Sequence, residues 1–408
     1  MRILVLSRWY PFPPDNGAKI RAYNMLRQLA KSHEVSLISF ADPTDRVELS
    51  AEDGPGQFCQ DLRVIPYRPF QPTSPRALAG LFSPQPRYLA DVHSEAFAEA
   101  VDRHLATHEV DLVIAATLTI MPYALQAPAG MPLVLEELEL SMFRDQVGKA
   151  GSFLGAARRW LMWAKLQSYL RRTLPSFRAT TVVSEGERRN VAVAAPNYPN
   201  VHVVPNAVAV HEYGAYYGAP EPWSIVFAGA LTYNANYEAA SWMLRSVFPR
   251  VKAEVPSAIL RISGRHDGVD LGGLPHSSGL ELTGHLADVR PLIARSAVSV
   301  VPLLSGGGTR LKILESMALG TPVVSTSKGA EGLAVTHNEN ILIADTPSDF
   351  AICVSAVIKD RRLRQRLSEA GRSLVWSHYD WNVVGEQLRS VVEQATSQPT
   401  PALVGGGA

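Results

Sequence analysis

The sequence predicts an α/β protein with two parallel-sheet domains, and three observations favour this fold class. Short apolar runs such as "RILVL" and "VSVVPL" alternate with segments of helical periodicity, which is typical of buried parallel strands joined by helices. The alternation is interrupted in residues 211–222, a stretch rich in Gly, Tyr and Pro, and then starts again. The chain has 408 residues, a length that suits two or three domains.

The first half of the chain contains a series of predicted strands, which are "RILVLS", "EVSLISF", "DLVIAAT", "PLVLEE", "RATTVV" and "VHVVPNAV". The segment "GAKIRAYNMLRQLAKSH" has apolar residues three and four apart, which predicts a helix, and "EAFAEAVDRHLATH" predicts another. In "VVSEGERRNV", Ser184 is the predicted N-cap of the next helix.

The second half repeats the pattern with "WSIVFAGAL", "SAILRISG", "LELTGH", "VSVVPL", "TPVVST" and "NILIAD". We therefore expect a first domain at residues 1–208 and a second at 209–378. A last helix, "WNVVGEQLRSVVEQ", is expected at 379–396, where it can pack back on the first domain. The remaining residues, 397–408, have the composition of a disordered tail.

The composition excludes several classes of protein. The formal net charge is +1, so no global field attracts nucleic acid, and we expect no nucleic-acid partner. Cys59 and Cys353 are too few and too far apart for a disulfide framework. Histidines such as His266, His276 and His285 lack the spacing of metal ligands, so no metal is expected. No apolar stretch reaches the ~18 residues of a transmembrane helix, which favours a cytoplasmic protein.

A glycine-rich turn, "SGGGTRLKILESMALGTPVVST", follows the strand "VSVVPL". Glycines at the carboxyl end of a parallel strand let backbone N–H groups approach an anion, and a helix N-terminus adds partial positive charge. Arg310 and Lys312 add formal charge, and Glu315 can accept hydrogen bonds from a ribose diol. These groups suit a nucleoside diphosphate. The alternative is a flexible turn in which Lys312 and Glu315 form a solvated i,i+3 pair.

A loop of similar position, "SRWYPFPPDNGAKIR", joins the first strand to the first helix. Gly17 allows close backbone approach to a ligand, and Arg21 follows one turn later. The alternative is a proline-stiffened loop in which Asn16 and Gly17 make a turn and Arg21 lies in solvent.

Several of these segments together resemble a known family. The chain is similar to retaining nucleotide-sugar glycosyltransferases of the two-Rossmann-domain (GT-B) type, family 4. The similarity rests on "PFPPDNGAKIRAYNMLRQLAKSHEV", "VVSEGERRNV", "VVPNAV", "IVFAGALTYNANYEAASWML", "LTGHLADVRPLI" and "VPLLSGGGTRLKILESMALGTPVVSTSKGAEGL". The resemblance implies two Rossmann-like domains whose parallel sheets face a central cleft. It implies transfer of a sugar from a nucleotide-diphosphate sugar to a glycan or polyprenyl-linked acceptor, with retention and without metal or cofactor, in cell-surface or exopolysaccharide biosynthesis.

The resemblance also implies roles for individual residues. The donor-binding residues are expected to be Gly17, Gly229, Gly284, His285, Leu286, Gly307, Gly308, Thr309, Arg310, Leu311, Lys312 and Glu315. The catalytic residues are expected to be Glu139, Arg310 and Lys312. The acceptor-binding residues are expected to be Arg21, Glu136 and Glu137.

The chain departs from the family pattern at three places. Many members have an acid that contacts the donor sugar where this chain has Gly307. Many also have an Arg and a Lys after the strand that here reads "FAGALTYNANYEA", which contains neither, so we expect Arg310 or Lys312 to take over part of that role. A subgroup with "GGGTRLKILE" shares both departures. Where many relatives place a histidine after the strand "PLVLEE", this chain carries Glu136, Glu137 and Glu139.

One helical segment is strongly basic. Residues 154–174 include "ARRWLMWAKLQSYLRR", with Arg158, Lys165 and Arg172 seven apart, and no acid occurs between Lys149 and Arg178. Such a helix suits a membrane surface, here the inner face of the plasma membrane, and it equally suits packing with a basic outer face.

Other functions remain open at this point. They are a catalytically inactive scaffold that binds nucleotide sugars and a sugar-nucleotide epimerase of the same fold. An NAD-dependent dehydrogenase is disfavoured because the first strand is not followed by a G-x-G-x-x-G turn.

Overall fold

The computed structural model describes residues 1–397 with the exception of residues 44, 46, 48, 50, 148–151 and 307–309. The predicted disordered tail lies, from residue 398 on, outside the described residues. The chain divides into two compact units. The first contains Met1–Pro205 together with the C-terminal segment from Val384, and the second contains Asn206–Val383.

Both units are built from parallel strands joined by helices, which confirms the predicted fold class. The strands are β1 Arg2–Ser7, β2 Glu34–Ala41, β3 Asp61–Pro66, β4 Leu112–Ala116, β5 Leu133–Glu136, β6 Ala179–Val182, β7 Val201–Val203, β8 Glu221–Ala228, β9 Ile259–Ser263, β10 Leu280–Gly284, β11 Ser296–Val301, β12 Val323–Ser325 and β13 Leu342–Ile343. The helices are α1 Gly17–Leu29, α2 Pro75–Ala79, α3 Arg87–Asp91, α4 Glu95–Thr107, α5 Met121–Ala124, α6 Ser141–Val147, α7 Phe153–Thr173, α8 Glu185–Ala194, α9 Asn234–Trp242, α10 Phe248–Glu254, α11 Arg290–Ala294, α12 Leu311–Ala318, α13 Pro347–Lys359, α14 Arg361–His378 and α15 Trp381–Ser397.

The sheet of the first unit has the strand order β3-β2-β1-β4-β5-β6-β7, with all pairs parallel. The chain runs outward from β1 to β3 and then returns to β4 on the other side of β1. This reversal places a crevice at the carboxyl ends of β1 and β4. The strand β3 was missed by the sequence prediction because its residues alternate between exposed and partly buried, so no continuous apolar run marks it.

The sheet of the second unit has the order β10-β9-β8-β11-β12-β13, again with parallel pairs. All the strands predicted for this half are confirmed. Every residue of β11 is buried, because helices cover both faces of the sheet. The strand order reverses between β8 and β11, so the equivalent crevice lies at the carboxyl ends of those two strands.

The helix ends follow local chemistry. The predicted N-cap is confirmed, since Oγ of Ser184 accepts a hydrogen bond from the Glu187 N–H at 3.2 Å. The helix α12 begins at Leu311. From Val384 onward, α15 belongs to the first unit, where Nη1 of Arg178 donates to the Ala395 carbonyl at 3.1 Å.

Two of the three basic residues singled out in α7 bond to the main chain of a neighbouring segment. Nζ of Lys165 donates to the carbonyls of Gly80 and Ser83, and Nη2 of Arg172 donates to the carbonyl of Pro84 at 3.0 Å. These two cations therefore fasten α7 to the segment that follows α2, and they do not form a free basic face. Among the helices of the described residues, none combines the length and the apolar character needed to cross a membrane.

Candidate functional site

The crevice of the second unit is formed by the loops that follow β8 and β11. The helix α9 begins after the first loop, and α12 begins after the second. The N-termini of both helices therefore lie at the carboxyl edge of the sheet. Free N–H groups and the helix dipole give this edge a partial positive charge, which favours an anionic ligand.

Lys312 reaches from α12 back to the end of β8. Its Nζ donates to Oδ1 of Asn236 at 2.9 Å. A Cβ atom on Gly229 would lie 2.9 Å from this Nζ and 3.0 Å from Cγ of Asn236. Residue 229 must therefore be glycine for the ammonium group to lie at this point, because any other side chain would displace it.

The surroundings of Lys312 favour its neutral form. Burial and, after it, the charge of Arg310 lower the pKa of Lys312 to about 8, while the charge of Glu315 acts in the opposite direction. The Nζ also lies 5.1 Å from the centroid of the Phe227 ring, a cation–π distance. The ammonium group is thus held by one hydrogen bond and one aromatic ring, with no carboxylate neutralising it by direct contact among the described residues.

Glu315 lies one turn after Lys312 on α12. Its Oε1 accepts a hydrogen bond from the Tyr213 hydroxyl at 3.1 Å. Burial raises the pKa of Glu315, while the hydrogen bond from Tyr213 and the charge of Lys312 lower it. Tyr213 ends a short 3-10 helix, Val210–Tyr213, within the stretch that the sequence indicated only as a linker.

Arg310 is buried and bonded to the main chain. Its Nη2 donates to the carbonyl of Gly306 at 2.9 Å and to that of Lys328 at 3.1 Å, and the same atom lies 4.0 Å from Oε2 of Glu331. The guanidinium group therefore ties the loop after β11 to the segment after β12. Its geometry is that of a residue that positions the loop.

The other residues predicted to bind the donor on the second unit precede or begin α12, or lie at and after the end of β10. Gly307, Gly308 and Thr309 lie outside the described residues. Leu311 is the first residue of α12, and Gly284 ends β10 with a φ of +70°, a conformation that favours glycine.

The end of β10 lies two strands away from β8, along the same edge of the sheet. His285 and Leu286 follow Gly284, and His285 is exposed. Since β10 is two strands from β8, the two strand ends are separated by roughly 10 Å. That distance suits a ligand that extends along the sheet edge from a base to a diphosphate.

A second polar centre lies at the carboxyl edge of the first unit. Arg21 and Glu136 are each 2% exposed and form an ion pair, with Nε of Arg21 donating to Oε1 of Glu136 at 2.9 Å. The same guanidinium group donates to the carbonyls of Val204 and Pro205, both at 3.1 Å. Both residues were predicted to bind an acceptor. Their charged groups are instead bonded to each other and to the main chain, so the pair fixes the end of β5 beside the segment after β7.

Glu137 is the more exposed carboxylate of this centre. Its side chain is 20% exposed, and its Oε1 lies 3.8 Å from Nε of Arg21. Burial raises the pKa of Glu137 to about 8, and the charge of Arg21 opposes this rise. Its φ is +56°, which is uncommon for a residue other than glycine and is a form of strain found at functional sites.

Two other predicted residues lie close to this edge. Glu139 is partly exposed, and its Oε1 accepts a hydrogen bond from Oγ of Ser141 at 3.4 Å. Gly17 is the exposed first residue of α1, where Oδ1 of Asn16 accepts a hydrogen bond from the Lys19 N–H at 3.2 Å.

Three residues of these centres were missed by sequence reasoning. They are Asn236, Tyr213 and Thr117. Asn236 is 76 positions from Lys312, and Tyr213 is 102 positions from Glu315, so no local pattern connects them. Thr117 follows β4 with a φ of +82°, and its N–H donates to the Glu136 carbonyl at 2.9 Å. Nothing in the sequence indicates this conformation of Thr117, because β-branched residues rarely adopt a positive φ.

Two Rossmann-like units in one chain are the architecture of the GT-B class of glycosyltransferase fold. Residues 16–207 match the family model described as a glycosyl transferase 4-like domain, and residues 222–360 match the model described as glycosyl transferases group 1. The chain belongs to the group 1 glycosyltransferases.

Individual relatives are distant. A Klebsiella pneumoniae protein described as an uncharacterized 44.6 kDa protein in the cps region is 26% identical over 172 residues, which are 38% of this chain and 42% of that protein. The chain spans about half the length of the curated relatives it matches, between 42% and 51% for three of them.

Solved structures show the same fold over nearly the whole chain. The structure of Anabaena HepE in complex with UDP-glucose has a TM-score of 0.64 at 13% identity and covers 97% of this chain and 100% of its own. WaaG, described as a glycosyltransferase involved in lipopolysaccharide biosynthesis, has a TM-score of 0.62 at 13% identity and covers 95% of this chain and 99% of its own.

Proposed function

We propose that this protein is a glycosyltransferase that moves a sugar from a nucleotide-diphosphate sugar to a glycan or polyprenyl-linked acceptor, with retention of configuration. The observation that carries the proposal is the position of Lys312 Nζ at Gly229, with Glu315 one turn further along the same helix. A cation and a carboxylate at the switch point of a parallel sheet match the diphosphate and the ribose of such a donor. The HepE structure, which holds UDP-glucose, supports this class of ligand.

The donor is bound at the edge of the second unit. The ribose hydroxyls donate to the Glu315 carboxylate, and the base lies toward Gly284, His285 and Leu286. The diphosphate lies at the N-termini of α9 and α12, beside Lys312. The resemblance assigns Gly307, Gly308 and Thr309 to donor binding as well, and Arg310 positions the main chain at Gly306 and Lys328 through hydrogen bonds to their carbonyls.

The chemical step depends on charge at the leaving group. As the bond to the anomeric carbon breaks, negative charge grows on the diphosphate. Lys312 and the helix N–H groups are placed in advance to stabilise this charge, so the protein needs little reorganisation during the reaction. In the family that the chain resembles, a donor phosphate oxygen helps to remove the proton of the acceptor hydroxyl. A pair of carboxylates with glycosidase spacing is then not required.

The acceptor is bound at the edge of the first unit. Glu137 and Glu139 are the carboxylates there that keep exposed surface, and they hydrogen-bond the acceptor hydroxyls. With a pKa near 8, Glu137 is largely protonated at neutral pH and can donate as well as accept a hydrogen bond. Arg21 and Glu136 act as positioning residues that hold the strand end from which Glu137 projects.

We also propose that the protein binds the inner face of a membrane in cell-surface polysaccharide biosynthesis. The first half of α7 and the segment after α2 expose large apolar side chains, since Phe82 is 94%, Phe153 86% and Trp160 63% exposed. Lys165 holds these two segments together. Arg158 on the same helix is exposed, and the sequence between Lys149 and Arg178 has no acid, so nothing in this segment repels anionic lipid from the apolar surface.

A co-sedimentation assay tests the membrane proposal. Vesicles of phosphatidylglycerol and phosphatidylcholine should pellet the wild-type protein, and F82S/W160S should remain in the supernatant. The matched control is Y216S, since Tyr216 is also strongly exposed but lies in the second unit. Equal pelleting of F82S/W160S and wild type would remove α7 from the proposal.

A thermal-shift screen with UDP-, GDP-, dTDP- and ADP-sugars tests the central proposal. At least one donor should stabilise the protein, and E315A should abolish the shift. The control is E339A, which removes an exposed carboxylate of the same unit. Release of free nucleotide diphosphate in the presence of an acceptor separates a transferase from an inactive scaffold, which binds but releases nothing. An epimerase would convert the donor sugar without any acceptor. No shift with any donor would contradict the proposal.

A further inference from the structure

The amino edge of the first sheet carries a cavity of 370 Å³. It is lined by the first residues of β1 and β2 and by the C-terminal end of α4, with Glu34, His104, His108 and Glu109 among the lining residues. The catalytic proposal concerns the carboxyl edges of the two sheets, so it leaves this cavity without a function.

Three side chains of metal-ligating type form a cluster, and two of them, His104 and His108, line this cavity. Asp61, His104 and His108 each offer one ligand atom, and these atoms lie within 4.8 Å of one another. Asp61 begins β3, the strand next to β2, while His104 and His108 are four residues apart at the end of α4. His108 is the residue that follows α4, and its ring stacks on that of His104, so both imidazoles lie together at the end of the helix.

The existing contacts show how the cluster is arranged without an ion. The Nδ1 atom of His104 lies 3.1 Å from Oδ2 of Asp61. The two imidazole rings stack with centroids 4.2 Å apart and 9° between their planes. His104 is buried and therefore fixed, whereas Asp61 and His108 are exposed and can turn toward a shared ion.

The setting of the cluster favours a cation. The C-terminus of α4 contributes partial negative charge, and Glu34 and Glu109 add carboxylates to the cavity. The neighbouring cation, Arg2, already pairs with Glu109 and Asp111. Since Glu109 is already paired with Arg2, Glu34 and the C-terminus of α4 supply the negative charge near the cluster. The donor set of two imidazoles and one carboxylate suits Zn²⁺ better than Mg²⁺ or Ca²⁺.

We propose that Asp61, His104 and His108 form a binding site for a divalent transition-metal ion of the zinc type, with water completing the coordination. Ligand atoms around a tetrahedral ion lie roughly 3.4 Å apart, given bonds of about 2.0–2.1 Å. The cluster must therefore contract by about 1.4 Å at its widest, and rotation of the exposed His108 ring out of the stack supplies this movement. A bound ion ties the end of α4 to the start of β3 and so stabilises the amino edge of the sheet.

Metal titration of the full-length chain, without an affinity tag and after dialysis against chelator, tests the proposal. We expect one equivalent of Zn²⁺ per chain by calorimetry and a rise in Tm with Zn²⁺ that Mg²⁺ does not give. Protein-bound Co²⁺ should absorb visible light with the intensity typical of a four- or five-coordinate site. H108A should weaken Zn²⁺ binding by more than about tenfold and remove the cobalt absorption, and D61N should weaken binding in the same direction.

The control is H276A, which removes an exposed histidine of the second unit and should leave Zn²⁺ affinity unchanged. Because His108 is exposed, its replacement leaves the core intact, and an unchanged Tm of metal-free H108A verifies this. Absence of stoichiometric Zn²⁺ binding, or equal affinity of H108A and wild type, would overturn the proposal. Neither result bears on donor binding, since none of the three ligands is among the residues proposed to bind the donor.

Discussion

Lys312 makes donor binding depend on pH, because its pKa lies near 8 and a diphosphate is attracted only by the charged amine. A group with this pKa is about nine-tenths charged at pH 7 and about one-tenth charged at pH 9. The terminal phosphate of a nucleoside diphosphate titrates near pH 6, so the ligand itself changes little over this range. The association constant should therefore fall by about tenfold between pH 7 and pH 9.

The variant K312M isolates this effect, because methionine keeps most of the side-chain volume and cannot titrate. Loss of a charge-assisted hydrogen bond costs about 1.5–3 kcal/mol, so at pH 7 the variant should bind the nucleotide about 10- to 150-fold more weakly. Its affinity should then be nearly constant from pH 7 to pH 9. Isothermal titration calorimetry at pH 7, 8 and 9, with the nucleotide chosen by the thermal-shift screen, measures both quantities.

Two results would refute this reasoning. One is an affinity of wild type that stays constant from pH 7 to pH 9, which would mean that Lys312 is fully charged or does not contact the ligand. The other is a decrease of equal size in K312M, which would assign the titration to a different group. The control variant E339A, which lacks an exposed carboxylate, should bind the nucleotide with the same affinity as wild type at each pH.

Three further changes have defined outcomes. Y213F removes the hydrogen bond to Glu315, so nucleotide affinity in calorimetry should fall by about three- to tenfold, or roughly 1 kcal/mol. G229A places a Cβ 2.9 Å from Nζ of Lys312, so it should weaken nucleotide binding with little change in Tm. E137Q mimics the protonated carboxyl, whose pKa is raised to about 8. Its free energy of unfolding should exceed that of wild type by more than about 1.4 kcal/mol at pH 9 and equal it below pH 4.

The sign of the E137Q effect follows from linkage. The folded pKa of Glu137 lies above its ordinary value of 4.5, so the stability gained by its protonated form is complete below pH 4.5 and is lost as pH rises through 8. Urea unfolding at several pH values measures this, and a constant difference at all pH values would contradict it. The controls for the other two changes are Y216F and G214A, each of which should bind nucleotide like wild type.

The sequence predicted the sheets well because their strands are buried on both faces. Continuous apolar runs mark such strands, and β11 and β12 of the second unit, in which every residue is buried, follow this rule. The strand β3 escaped because it alternates at the edge of its sheet. Strand order could not be read from the chain, since it depends on crossover geometry. It was the observed order that located the two switch points.

The candidate site was predictable only where its residues lie close together in sequence. Lys312 and Glu315 are on one turn, and their charges following a glycine turn were enough to suggest a nucleotide site. Their partners Asn236 and Tyr213 lie 76 and 102 residues away. Arg21 is the opposite case, in which a local sequence pattern suggested a contact with a ligand. In the structure its guanidinium group is buried and forms an ion pair with Glu136, a residue 115 positions away that no local pattern connects with it.

The absence of a cation after β8 has a physical compensation in α12. Neighbouring strands lie about 4.8 Å apart, and β8 and β11 are neighbours, so the helix that follows β11 starts beside the end of β8. A lysine in the first turn of α12 is long enough to cross that distance, and the contact between Lys312 and Asn236 shows that it does. If the donor binds as proposed, Lys312, with the space left by Gly229 83 residues earlier, supplies the cation at this strand end. Selection at the two positions should therefore be coupled, and G229A/K312M should bind nucleotide no more weakly than K312M alone.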